Sequence, residues 1–331
     1  MPLPVHPPPR SPLDRHRQLA PSASVRVTPL CLGAMNFGDA WKDSLRECPK
    51  ETAFKILDYF ITQRQNRDQL VLASKFSSSY KNHESDKLQS TYGGNGGKSM
   101  RVSLELSLQK LQTSYIHLFY LHWSDYTVSI PELMHTLPIW WSAARSFTSG
   151  FLITRPGWLL RPINTFVITV YANSPCTKVV SFRGFEREIL PMYRDENMGE
   201  VLWGTLSQGQ FHTEAGYKER EQNNPGGKGR HPQMAREVLE TIANSKQTDL
   251  TSIALAYVRH KAPYVFPVVG GRKVEHLRGN IAALDLSLSV EEMAQIEAAY
   301  PFDHGFPHTF LSGTLFDGST PRTPDGPGAC G

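Results

Sequence analysis

The chain lacks the marks of several large functional classes. Its 331 residues include only four cysteines, Cys31, Cys48, Cys176 and Cys330. None forms a CxxC pair and none has a histidine at metal-finger spacing, so the pattern reads as free thiols in a reducing compartment. No apolar run is long and clean enough to span a bilayer. The most membrane-like stretch, Phe151 to Val170, is interrupted by Arg155, Pro156, Arg161 and Pro162. The opening MPLPVHPPPRSP lacks the apolar centre of a secretory signal. Charge of one sign is scarce too: the net charge is +4, with no dense basic run, which argues against nucleic acid as a partner. The sequence therefore reads as a soluble cytoplasmic protein. Hydrophobic residues at 40% and charged residues at 20% suit one large globular enzyme domain.

A further absence is local. Pro138 to Phe182 contains no acidic residue, yet it holds three of the six tryptophans, Trp140, Trp141 and Trp158. For most of its length it has neither helical nor strand periodicity.

The flanking segments alternate regularly. Residues 1–20 read as a proline-rich, disordered arm. Val25 to Leu32 suits a strand entering a loop at Gly33. Glu51 to Phe60 carries a short helical stripe, and Leu70 to Ala73 is a compact buried strand reaching Ser74 and Lys75. Ser99 to Leu111 has Met100, Leu104, Leu108 and Leu111 on one helical face. Tyr115 to His122 is nearly all apolar and reads as a strand, and Ile130 to Leu137 begins another helix. Near the end, Leu250, Ile253, Ala254, Tyr257 and Val258 mark an amphipathic helix. The strand Tyr264 to Val269 follows, then Gly270-Gly271-Arg272 and a helix through Ala283. Ser289 with Glu292 forms a capping box for a last helix. Residues 312–331, rich in Gly and Pro, read as a loose tail. Strand and helix in alternation predict parallel strands covered by helices.

CLGAMNFGDAW (31–41), NRDQLVLASKF (66–76), YIHLFYLHW (115–123) and FPVVGGRKVEHLRGNI (266–281) resemble one family. It is that of fungal aldo-keto reductases of the aryl-alcohol dehydrogenase and norsolorinic acid reductase type. FEREILPM (185–192) and YPFDHGFPHTFLSGTLF (300–316) extend the likeness. The resemblance implies an α/β fold, a (β/α)8 TIM-type barrel over residues 21–311, with its chemistry on the loops after the strands. It also implies reduction of an aldehyde or ketone by NADPH in secondary-metabolite biosynthesis, polyketide or meroterpenoid, including mycotoxin pathways. In such enzymes a tyrosine protonates the carbonyl oxygen, tuned by a lysine and an aspartate, while a histidine orients the carbonyl. By the resemblance, Lys75 is that lysine and His122 that histidine. Gly270, Gly271 and Arg272 match the turn after the last strand, where backbone N–H groups cradle phosphate and Arg272 can fork onto the 2′-phosphate of NADPH. His276 and Asn280 match contacts to the adenosine end. Trp203, Gly204, Thr205, Leu206, Gln208, Gly209 and Gln210 match the loop over the pyrophosphate.

The sequence departs from that family twice. The aspartate and tyrosine belong to a segment that should follow the first helix, but here ILDYF (56–60) runs straight into ITQRQNRDQL (61–70). The shortfall is about thirty residues, the length of one βα unit. Asp58 and Tyr59 do not substitute, because adjacent helical residues cannot converge on one site. The second departure is the aberrant middle, 138–183. Read out of frame with synonymous codons chosen freely, Pro138 to Thr165 can encode NLVVSGKVFYLGISDNPAWVVVTANKY, and Tyr171 to Val180 can give RQF, two flexible positions and YQGR. These blocks are family-like. The fold expected is therefore an incomplete barrel, one βα unit missing and two scrambled, with open strand edges, poor solubility and impaired activity. Two rivals are a non-catalytic NADPH-binding relative and a potassium-channel β-subunit-like module; the aryl-alcohol blocks disfavour the second.

Two motifs are decoys. GGNGGKS (93–99) fails the P-loop spacing, because Tyr92 stands where the first glycine is required. His304 and His308 lack a third ligand, so no metal is expected. Sequencing of the transcript is expected to reveal a displaced reading frame over Pro138 to Val180. A fully supported in-frame transcript across that stretch would end the idea.

Overall fold

The computed structural model describes residues 8–21, 23–39, 42, 47–61, 67–81, 84, 86, 88–133, 135–136, 146–153, 169–172, 186–187, 189–206, 211, 216, 218, 222, 233–299, 302 and 305. Two strands, β1 (Arg17–Ala20) and β2 (Ala23–Val27), form an antiparallel hairpin. A seven-stranded sheet follows, in the order β3 (Cys31–Leu32), β9 (Val265–Val269), β8 (Gly199–Leu202), β7 (Thr169–Ala172), β6 (Ser146–Ile153), β5 (Ile116–Leu121) and β4 (Ala73–Phe76). Every pair in it is parallel. Helices α1 (Lys50–Phe60), α2 (Gly97–Leu111), α3 (Ile189–Asp195), α4 (Gln233–Ser245), α5 (Leu250–Lys261), α6 (Val274–Ala282) and α7 (Val290–Ala299) connect and cover it.

Side-chain alternation divides the core into an inner and an outer layer. Leu118, Tyr120, Val201 and Phe266 meet inside the strands with Leu19, Ala20 and Ala23 of the hairpin. Phe119 and Leu121 point the other way, onto Met100, Leu104 and Leu108 of α2. Leu202 and Val265 pack outward on Leu239 of α4 and Ile253 of α5. The hairpin closes the end of the sheet opposite the site. Arg17 donates to the carbonyls of Pro263, at 2.9 Å, and Val265, and its guanidinium lies 4.4 Å from the Phe266 ring centre. At Gly199 any Cβ would collide with the Leu19 carbonyl, so this strand position requires glycine.

Several expectations need correction. Residues 10–20 are not a loose arm. A 3-10 turn, Pro12–Asp14, and β1 bury Leu13, Leu19 and Ala20, because these apolar residues plug an otherwise open barrel end. The single strand expected over Val25 to Leu32 divides at Thr28-Pro29, since proline cannot donate to a ladder. The strand expected at Leu70 to Ala73 lies at Ala73–Phe76 instead, so Lys75 is inside it. The middle, where no strand period was legible, contributes β6 and β7. The helices expected from Glu51, Ser99 and Leu250 are present, as is the capping box: Ser289 N–H donates to Glu292 Oε2 at 2.7 Å and Glu292 N–H to Ser289 Oγ at 3.2 Å. The tail, residues 312–331, lies outside the described residues.

β3 and β4 are the two margins of the sheet. Only twelve residues, 61–72, separate the end of α1 from the start of β4, and 67–69 of these form a 3-10 turn. A further strand with its covering helix does not fit in that length, given about 3.3 Å per strand residue and 1.5 Å per helical residue.

Glu200 faces the outer layer from β8 and is only 2% exposed, and neither carboxyl oxygen has a hydrogen-bond partner. Burial, and secondly the nearby Glu186 carboxylate, pushes its pKa up to about 8. The folded chain therefore keeps a proton that the unfolded chain, near the ordinary value of 4.5, releases. Stability should fall as pH rises between these two values and level off above the folded one. Thermal melts at both ends of that window are expected to show this loss in the native chain and its absence in Glu200→Leu. Parallel pH profiles for the two proteins would contradict it.

Candidate active site

Lys75 and His122 come together through strand register. The β4–β5 ladder sets Lys75 opposite Tyr120 and Phe76 opposite Leu121. His122 N–H continues the ladder by donating to the Phe76 carbonyl at 2.9 Å. Ser74 points outward, its Oγ 2.7 Å from Ser107 Oγ on α2, and Phe76 packs in the same outer layer. Alternation then turns Lys75 inward, at the C-terminal end of its strand.

The two side chains share an electrostatic field. Burial lowers the His122 pKa to about 4, helped by repulsion from the Lys75 ammonium. At neutral pH the imidazole is therefore uncharged and can offer one N–H to a carbonyl oxygen. Its Nδ1 lies 3.1 Å from Ser78 Oγ, and its ring centre stands 4.6 Å from that of Trp123. Lys75 is solvent-exposed overall, yet its ammonium loses hydration among the strand ends, which lowers its pKa; the Cys31 thiol, on the opposite sheet margin, acts against this. Burial raises the Cys31 pKa in turn, and Lys75 opposes that rise.

A second group of residues lies across the same face. After β8, Trp203 Nε1 and Thr205 Oγ1 are buried polar atoms without a hydrogen-bond partner, and Gly204 has a φ of +72°. Buried donors left unmatched mark a place where a polar ligand would be welcome. After β9, a Cβ on Gly271 would lie 3.0 Å from His276 Cβ, so a side chain there would require the histidine to shift. Asn36 Nδ2 donates to the Gly271 carbonyl at 2.7 Å, tying the β3 loop to this turn. Arg272 is half-buried before α6, and Gly270 is exposed. His276 is an exposed residue whose pKa is lowered by partial burial of its ring and by Lys273 and Arg272. Asn280, on the next turn of α6, is buried. Leu206 is half-buried and packs on the outer core. Gln208, Gly209 and Gln210 lie outside the described residues, as do His304 and His308. Among the described residues no group of acidic, histidine and cysteine side chains could hold a metal ion.

Asp58 and Tyr59 stand elsewhere. Both are on α1, which packs on α6, and the Arg278 guanidinium lies 5.4 Å from the Tyr59 ring centre. This is the outer helical layer, not the strand ends. Sequence reasoning missed Ser78 and the Asn36 tie. A serine next to a strand end and an asparagine in a loop carry no distinctive spacing.

The family model "Aldo/keto reductase family" matches residues 59–301. The chain belongs to the aldo/keto reductase family. Norsolorinic acid reductase B of Dothistroma septosporum is 50% identical over 347 residues, covering 95% of this chain and 88% of the relative. Norsolorinic acid reductase B of Aspergillus parasiticus is 45% identical, covering 94% and 90%. An aryl-alcohol dehydrogenase [NADP(+)] of Phanerodontia chrysosporium is 35% identical, covering 91% and 90%. Membership makes the chain an oxidoreductase by family, of a kind that acts on small carbonyl compounds, with an α/β fold of parallel strands. The first alignment is longer than the chain's 331 residues. Since 95% of the chain is about 314 residues, roughly thirty positions of that relative have no counterpart here. No helix among the described residues is long and apolar enough to cross a membrane.

The shared field of Lys75 and His122 is directly measurable. A proton NMR titration of the His122 Cε1–H, assigned with His122→Gln, is expected to give a midpoint near 4. In Lys75→Met the midpoint should rise, because the repelling cation is gone. An unchanged midpoint would separate the two groups.

Proposed function

We propose that this chain derives from an NADPH-dependent reductase of an aldehyde or ketone in fungal secondary metabolism, and that it carries the activity in impaired form. The observation that carries the family chemistry is the pairing of Lys75 and His122 at the ends of adjacent parallel strands. The named activities of the relatives, norsolorinic acid reductase and NADP(+)-linked aryl-alcohol dehydrogenase, agree with a carbonyl substrate and this cofactor. We infer a cytoplasmic enzyme whose barrel takes in residues 21–311 together with the N-terminal plug.

Each residue then has a task. Arg272 would pair with the 2′-phosphate, and the Gly270-Gly271 turn at the start of α6 would receive the phosphate backbone. Trp203 and Thr205 would supply their unmatched polar atoms to the same ligand, with His276 and Asn280 nearer the adenosine end. Gln208, Gly209 and Gln210 belong to the same proposed loop. When bound, the reduced nicotinamide supplies a hydride. His122 would donate an N–H to the carbonyl oxygen, and the Lys75 ammonium would stabilise negative charge developing there.

Impairment follows from the gap between β3 and β4. A closed barrel would have an eighth strand there, and we read the sheet as one βα unit short. By family resemblance that unit carries the aspartate and the proton-donating tyrosine. Loss of a general acid costs about 10²- to 10⁴-fold in rate. A non-catalytic NADPH-binding relative is the second reading, favoured because the Arg272 turn is formed while no strand stands between β3 and β4 among the described residues.

NADPH oxidation with an aromatic aldehyde tests both. Turnover is expected to be barely above that of Lys75→Met, while fluorescence titration still detects NADPH binding. Arg272→Ala should weaken NADPH by about 10- to 100-fold and NADH much less, as a lost charge-assisted pair implies. Fast turnover in the native chain would overturn the impairment, and equal losses for both nucleotides would remove Arg272 from the 2′-phosphate.

A further inference from the structure

We propose that Asn95 is a positioning residue for His122, acting with Ser77 and Asp125 as a rigid brace between the loops after β4 and β5. The proposal rests on the role given to His122 above. It also explains GGNGGKS (93–99), a motif that no phosphate-binding reading absorbs.

Asn95 is completely buried. Its Nδ2 donates to Ser77 Oγ at 2.7 Å, and its Oδ1 accepts the Asp125 N–H at 2.7 Å. Its own N–H donates to Asp125 Oδ2, also at 2.7 Å. Asp125 Oδ1 accepts from the Thr127 N–H at 2.9 Å and the Val128 N–H at 3.3 Å, so the carboxylate gathers its own loop as well. The brace reaches His122 through Ser77, whose Oγ accepts the His122 N–H at 3.2 Å. The next residue, Ser78, holds the ring at Nδ1. Backbone and imidazole of His122 are thus fixed by two consecutive serines, and the first of them is clamped by Asn95.

The two glycines before Asn95 fit this role. Gly94 has a φ of +90°, and a Cβ there would lie 3.1 Å from Asp125 Oδ2. A Cβ on Gly93 would lie 3.1 Å from Ser79 N and 3.2 Å from the Ser77 carbonyl oxygen. Side chains at either position would push the asparagine away from its partners.

Ser77 supplies an independent indication. It is not glycine, yet its φ is +110°, in a region that side chains disfavour. The Gly94 N–H donates to its carbonyl at 2.8 Å, and its Oγ makes the two contacts just described. Glycine would relax this backbone but would lack the hydroxyl that joins Asn95 to His122. Strain of this kind persists where the surroundings over-determine it, commonly beside functional groups.

The test uses the full chain. Asn95→Ala and Ser77→Gly are compared with the native protein by NMR titration of His122 and by thermal melting. The titration midpoint is expected to climb from about 4 towards the ordinary 6.5 in both variants, as the ring gains water and moves from Lys75. In Ser77→Gly relief of the backbone strain offsets part of the cost of leaving Asn95 Nδ2 unpaired, so the midpoint should move with a smaller fall in melting temperature than in Asn95→Ala, a split that a purely structural brace would not give. A folded variant of either kind with an unmoved midpoint overturns the proposal. If Asn95→Ala does not fold, Ser77→Gly decides alone. Native turnover clearly above the Lys75→Met background that is left undiminished in His122→Gln would defeat the role of His122 in reduction while leaving the brace intact.

Discussion

The parallel ladder between β4 and β5 is the contact on which the candidate site depends. Lys75 and His122 are 47 positions apart in the chain. They meet because Phe76 stands opposite Leu121 and the His122 N–H caps the same ladder. Side-chain period is two along a strand, so a slip of one residue would send Lys75 outward to α2 and bring Phe76 into the mouth. The outer layer opposes that slip. Phe76 stacks on Phe119 with ring centres 5.2 Å apart, and both pack among the α2 leucines. Register is thus fixed by apolar burial on one face, and the polar chemistry of the other face follows from it.

A second constraint runs through the sheet as a whole. Interior strands satisfy their backbone on both sides, whereas β3 and β4 have one ladder partner each in the strand order. Cys31 and Lys75, one on each margin, come within electrostatic range of one another. In a closed barrel a strand would stand between them. The electrostatics of the mouth are therefore those of two margins brought together: an ammonium opposed by a half-buried thiol, beside an uncharged imidazole. On the reading proposed above, such a site can still polarise a carbonyl but lacks the phenol that would complete the transfer.

Much of this was legible before any coordinates. The helical stripes at Glu51, Ser99 and Leu250 and the apolar strands ending at His122 and Val269 reappear within a residue or two, because each carries a strong period or an uninterrupted apolar run. The jump from Phe60 to Ile61 reads as a missing length against the family, and β3 and β4, the margins of the sheet, lie on either side of it in the chain. The N-terminal hairpin was not legible: Leu19 and Ala20 are buried by strands far along the chain, and no local pattern announces a plug. β6 and β7 were not legible either, since the residues that form them lack strand periodicity. Glu200 was also hidden. A glutamate between Gly199 and Val201 looks ordinary until both its neighbouring strands and the outer helices are in place.

The sequence by itself determined the family and the alternating elements, and it nominated Lys75 and His122 as the candidate pair. These depend on residue identity and short-range period, which a linear reading preserves. Only the tertiary structure decided which faces those residues present and which groups they feel. It set the neutral state of His122 beside Lys75, the clamp of Asn95 on Ser77, and the isolation of Tyr59 on the outer layer. Register, burial and electric field arise between segments distant in sequence, so they exist only once the strands have paired.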